Sequence, residues 1–134
     1  MHQSITIQAT DIGKFSLAKS RELDKLNPKE LLLYSTALCA GFTVQSIAEK
    51  EHVKLLKLEI KMSGELDTEK VEGRSQFVSF DIAYNIECKH IDDQSKVSHA
   101  VQLATDRYCG GLAMCRKIAP VSHSVSIVSI EVEA

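Results

Sequence analysis

Tryptophan is absent, prolines number two, and neither a Gly/Ser-rich linker nor an internal repeat interrupts the chain. With 134 residues, that lack of punctuation leaves a single domain over 1–134, long enough to bury a real core. An excess of one charge is missing too: 16 basic residues stand against 18 acidic ones, a formal net charge of −2. A phosphate binder usually shows a clear basic excess, so nucleic acid is not expected as a partner. No basic-apolar-small signal opens the chain, and the longest apolar run, 31–44, contains Ser35, Thr36 and Thr43. Such a run is short for a bilayer and reads as a buried helix; no membrane partner and a cytoplasmic location are expected.

The four cysteines, Cys39, Cys88, Cys109 and Cys115, make no C-x-x-C, and no second pair completes a zinc pattern. The five histidines form no H-x-x-x-H, and G-x-S-x-G, P-loop and G-x-G-x-x-G motifs are lacking. Neither a metal nor an organic cofactor is expected. Without secretion, structural disulfides are not expected either, which leaves buried inert thiols or a redox pair.

What is present is a clear alternation of periods. Ile5, Ile7 and Ala9 alternate as a strand, and Phe15 and Leu17 point inward from a second one. "NPKE" reads as a helix start: Asn27 caps, Pro28 takes the first helical position, and Glu30 falls where a capping box needs it. The helix should run to about "AEKEH", and its middle is apolar all round. A chain this small would struggle to cover such a helix, and a second copy would supply the cover. Leu56, Leu58, Ile60 and Met62 then alternate with Lys57, Glu59 and Lys61. Val78, Phe80, Ile82, Tyr84, Ile86 and Cys88 share one face of the next strand, after a long hairpin connection, "GELDTEKVEGRS". Val97, Ala100, Val101, Ala104 and Tyr108 form a helical stripe, which Gly110-Gly111 should stop. "LAMCRKIA" predicts a short helix, and Val128, Ile130 and Val132 alternate with Ser129, Glu131 and Glu133 in a last strand. Strands, a long helix, two strands, two helices and a strand make an α+β fold.

Cys39 sits mid-helix, where a free cysteine commonly serves as a small apolar filler. Cys88 ends an apolar strand face, and Cys115 fits either reading. Cys109 stands beside two glycines, where backbone can approach closely and a thiol can be reached.

The stretch "LNPKELLLYSTALCAGFTVQSIAEKEHV" resembles the core motif of the OsmC/Ohr family, the osmotically inducible and organic-hydroperoxide-resistance proteins. "AVQLATDRYCGGLAMCRKIAPVSHSVSI" is similar to the family's second helix, in the form of its diverged OsmC-like branch. The resemblance implies an OsmC-like fold in which antiparallel sheets wrap long central helices in an intertwined homodimer. It implies a thiol-dependent peroxidase for organic hydroperoxides, with Cys39 as the attacking thiol, Cys109 as its resolving partner and an external dithiol as reductant. Full ionisation of an ordinary thiol raises its reactive fraction only about tenfold to thirtyfold, or ~1.4–2 kcal/mol, so a cation and a carboxylate are also needed. Glu30 is the carboxylate this chain offers, one position after the family's usual place at Lys29. Nine residues of helix put it on the face opposite Cys39 and roughly 13 Å away, so it would serve the thiol of a second copy. Arg21 is the leading cation, with Arg107 and Arg116 as substitutes. Leu38, Phe42 and Val44 would wall the thiol and favour an apolar peroxide. The rival readings are a non-enzymatic relative that holds a small apolar or sulfur-containing ligand in the interface cavity, and a domain packed by inert cysteines.

Overall fold

The computed structural model describes residues 1–131. Val132 and Glu133, included in the alternation of the last strand, lie outside them. The elements follow the expected order: β1 (His2–Asp11), β2 (Lys14–Leu17), α1 (Pro28–Lys50), β3 (Leu55–Leu66), β4 (Phe77–His90), α2 (Gln94–Leu103), a π-turn (Ala104–Tyr108), α3 (Gly110–Ile118) and β5 (Val121–Glu131). One five-stranded sheet runs β2-β1-β3-β4-β5.

The sheet is mixed, not wholly antiparallel: β5 lies parallel to β4, with Tyr84 opposite Val125 and Ile86 opposite Ile127. The physical reason is the connection. Parallel neighbours need a crossover of a dozen or more residues, and α2, the π-turn and α3 supply it.

Asn27 begins α1 as expected. Its Oδ1 accepts from the Glu30 N–H at 2.8 Å, and Glu30 Oε1 accepts from the Asn27 N–H at 3.0 Å. This reciprocal cap sets where the helix starts and therefore which residues face the sheet. Leu33, Thr36, Ala37, Ala40, Gly41, Val44 and Ala48 are the buried side, laid against β1 and β3. Small residues dominate it, so backbone and sheet approach closely. At Gly41 a Cβ would fall 2.6 Å from Cζ of Phe15, whose ring occupies that space. The sheet answers with Ile5, Ile7, Leu58, Ile60, Met62, Phe80, Ile82, Tyr84 and Ile86, all buried. Each such large side chain contributes about 1.5–3 kcal/mol on leaving water.

The helix is long and apolar enough to cross a membrane by length and composition, so the shortness of the run 31–44 does not decide that question. Packing of its buried side on the sheet accounts for much of its apolarity. Its remaining apolar residues are not wrapped within one chain: Leu31, Leu32 and Phe42 are exposed.

Several alternations slip where the ladder slips. An extra residue on β3 between Leu55 and Lys57, and one on β4 opposite Glu65/Leu66, turn Leu56 and Val78 outward and bring Phe77 in. β3 also runs on through Gly64, Glu65 and Leu66, so the hairpin connection is shorter than "GELDTEKVEGRS" suggested. Val97, Ala100, Val101 and Ala104 are buried as expected, whereas Tyr108 is exposed, because the widened π-turn rotates it off the stripe. Val128 and Ile130 are exposed on the edge strand, whose inner face carries Val121 and Ile127.

Candidate functional site

Gly110-Gly111 does not stop a helix; it starts one. The chain leaves α2 through the π-turn, and the Cys109 N–H closes that turn on the Ala104 carbonyl at 2.9 Å. Cys109 then adopts an extended conformation and caps α3, its Sγ accepting from the Leu112 N–H at 3.4 Å. At Gly111, α3 lies against the middle of α1. A Cβ there would sit 3.4 Å from both the Cys39 Cβ and the Thr36 Cα.

These elements bring Cys39 and Cys109 together. The Gly111 backbone touches Cys39, so Cys109, two residues earlier, is a neighbour of Cys39 and feels its charge. Both are free thiols, Cys39 half-buried and Cys109 fully buried. Burial pushes the Cys109 thiol up from 9.0 to about 12, the Leu112 N–H opposes this, and the neighbouring Cys39 adds to it. At neutral pH Cys109 is therefore a proton-bearing thiol.

Cys115 is close by on α3, with its Sγ 3.6 Å from Thr36 Oγ1. Burial raises its pKa, while Thr36 and the Arg116 charge lower it. Cys88 sits at the end of β4, its Sγ 3.6 Å from the His90 carbonyl, a packed thiol with a pKa raised by burial and by Asp93.

Arg21 and Glu30 meet each other, not Cys39. Arg21 Nη2 donates to Glu30 Oε2 at 2.5 Å, and Nη1 donates to the Ser4 carbonyl at 3.3 Å. Glu30 thus serves cap and ion pair together, one carboxylate oxygen to each. Among the described residues, neither hydrogen-bonds to a cysteine of its own chain. Arg116 donates to the Thr105 carbonyl and lies 3.9 Å from Asp106; Arg107 is exposed. Val44 is on the sheet side of α1 and fully buried, so it does not wall the thiol; Leu38 is half-buried and Phe42 exposed.

Sequence reasoning missed the polar partners beneath the thiols. The Tyr84 hydroxyl, on the inner face of β4, is 2.9 Å from Thr105 Oγ1 in the π-turn, and both residues are buried. A tyrosine amid Phe80, Ile82 and Ile86 was the available signal, since a buried phenol needs a hydrogen-bond partner.

No group of three or more His, Cys, Asp or Glu among the described residues could hold a metal ion. A cleft of about 650 Å³ lies at the other end of α1, lined among others by Ala9, Gln45, Ala48, Val53, Leu55 and Leu58. No cysteine lines it.

A mixed sheet carrying one long helix, with two shorter helices crossing to a parallel edge strand, is an α+β fold that known proteins share. The chain matches the model of the OsmC-like proteins over residues 21–126, and it belongs to that family. It is 24% identical to protein YhfA of Escherichia coli K12 over 103 residues, covering 77% of this chain and 74% of that protein. Its fold is similar to that of a hypothetical protein from Aquifex aeolicus VF5, with TM-score 0.67, 23% identity and 98% of each chain covered. The organic hydroperoxide resistance protein OhrB of Bacillus subtilis also shares it, with TM-score 0.57 and 14% identity over 92% of this chain and 98% of that one.

Proposed function

We propose that the chain works as a homodimeric, cytoplasmic thiol peroxidase that reduces organic hydroperoxides through Cys39 and Cys109. The observation that carries this reading is the packing of α3 on α1, which sets Gly111 against Cys39 and so makes Cys109, remote in sequence, its neighbour. The exposed Leu31, Leu32 and Phe42 of α1, with Met114 and Ile118 of α3, support a second copy as their cover.

In the first step the Cys39 thiolate attacks one peroxide oxygen. The S–O bond forms, the O–O bond breaks, and the departing alkoxide takes a proton and leaves as the alcohol. Cys39 is then a sulfenic acid. Cys109 attacks that sulfur; the S–S bond forms, the S–O bond breaks, and hydroxide leaves as water with the Cys109 proton. An external dithiol reduces the disulfide and resets the pair. Arg21 and Glu30 of the second copy would stabilise the leaving oxygen and manage its proton, arriving already paired and oriented by the helix cap. Leu38 and Phe42 favour an apolar peroxide.

The test is a thiol count on reduced protein treated with cumene hydroperoxide. Wild type should lose two thiols per chain and Cys109→Ser one. Retention of every thiol rejects the reading.

A further inference from the structure

Beneath the thiol pair lies a polar arrangement that this chemistry has not yet used. The inner face of β4 is otherwise apolar, built from Phe80, Ile82, Ile86 and Cys88. It delivers one hydroxyl, that of Tyr84, to one point: Thr105 of the π-turn, at 2.9 Å. Thr105 is held from its other side as well, because the Arg116 guanidinium donates to its carbonyl. The Cys109 N–H bonds Ala104 next door. The turn that immediately precedes Cys109 is therefore tied by the sheet, by α3 and by its own backbone. A π-turn is a rare single turn within a helix, frequently found at functional sites. Here the sheet's hydrogen bond to the turn comes from the Tyr84 phenol.

We infer that Tyr84 is a positioning residue: through Thr105 its hydroxyl holds the π-turn in the form that presents the Cys109 thiol to Cys39. The inference rests on the reading of Cys39 and Cys109 as a working pair. Tyr84 touches no reacting atom in this arrangement and acts through Thr105. Its phenol keeps its proton at every physiological pH, since burial and the charges of Cys109 and Cys39 push it up to about 12 against the opposing Thr105 hydrogen bond and Arg116 charge. The hydroxyl is thus a permanent tether and not a titrating switch. It should matter for bringing the two sulfurs into bond with each other, and not for the attack of Cys39 on peroxide.

The experiment measures the Cys39–Cys109 disulfide equilibrium of the full chain in glutathione buffers, with no peroxide present. Wild type, Tyr84→Phe, Thr105→Val, Thr105→Ser and the Tyr84→Phe/Thr105→Val double variant are compared, and urea melts establish that each is folded. Loss of one buried hydrogen bond should lower the disulfide equilibrium constant about tenfold in Tyr84→Phe and in Thr105→Val. Thr105→Ser should stay near wild type, and the double variant should be no worse than either single one. In parallel, dimedone trapping after cumene hydroperoxide should capture more Cys39 sulfenic acid in Tyr84→Phe than in wild type, because the second step is slowed. A Tyr84→Phe equilibrium equal to wild type overturns the inference, as does a loss that Thr105→Val does not share. A wild type that forms no Cys39–Cys109 disulfide in any buffer also overturns it. Shifted equilibria in a protein that is inert to hydroperoxide would support the positioning role while rejecting the peroxidase reading alone.

Discussion

Removing Cys39 should make Cys109 more reactive, by an amount that follows from what surrounds it. Its thiol stands at about 12 against an ordinary 9.0. Three pH units mean a thiolate population about a thousandfold smaller than that of an ordinary thiol near neutral pH. Burial is the largest cause, and the neighbouring Cys39 is the next that raises it. Cys39→Ala deletes the second group and leaves the first, so the midpoint should fall but remain above 9.0. The assay is iodoacetamide labelling of Cys109 from pH 7 to 10, followed by peptide mass spectrometry. Absolute rates mix ionisation with access, but the slope does not. In wild type the Cys109 rate should climb about tenfold per pH unit through pH 10, without levelling. In Cys39→Ala the rate should be higher at every pH. A wild-type Cys109 rate that levels off near pH 9, or a Cys39→Ala rate no faster than wild type, would refute the reasoning.

Other substitutions test the frame that holds the site. Asn27→Ala removes the side-chain half of the reciprocal cap and should cost about 1 kcal/mol in urea unfolding, with a parallel loss of the Arg21–Glu30 pairing geometry. Gly41→Ala gains about 1 kcal/mol of helix propensity but drives a methyl into the Phe15 ring. Overpacking of ~1–3 kcal/mol should leave it about 1 kcal/mol less stable, a loss that Phe15→Leu in the same chain should relieve. Stability should also fall at high pH. Cys109 and Tyr84 are both raised on folding, from 9.0 and 10.0 to about 12. The native state then binds protons that the unfolded chain has released, so this stabilisation is whole below about pH 9 and drains away as pH rises toward 12. Urea midpoints at pH 8, 9 and 10 should decline steadily in wild type and less steeply in Tyr84→Phe.

The elements were legible because their signals are local. Asn27, Pro28 and Glu30 start a helix whatever follows, and Ile60 and Met62 alternate with charges whatever lies opposite. Where partner geometry decides, the sequence was silent. Leu56 and Val78 belong to good alternating runs, and only the register between β3 and β4 turns them outward. Gly110-Gly111 has the composition of a helix end. It begins α3 because Cys109 caps that helix with its sulfur. The parallel placement of β5 likewise depends on how far two helices carry the chain. At the site, Cys39 and Cys109 were named from resemblance, and their approach is a product of the α1–α3 crossing. The Arg21–Glu30 pair follows from neither local pattern. Tyr84 and Thr105 meet across the core, and no spacing connects them.

The central claim is that Cys39 and Cys109 bond to each other when a hydroperoxide is reduced. Its most direct test is non-reducing peptide mapping of protein treated with one equivalent of cumene hydroperoxide per chain. The expected product is a single crosslink between the peptides carrying Cys39 and Cys109, with Cys88 and Cys115 free and one cumyl alcohol formed per crosslink. Crosslinks through Cys88 or Cys115 instead, or alcohol formed with Cys109 still a free thiol and Cys39 uncrosslinked, would contradict it.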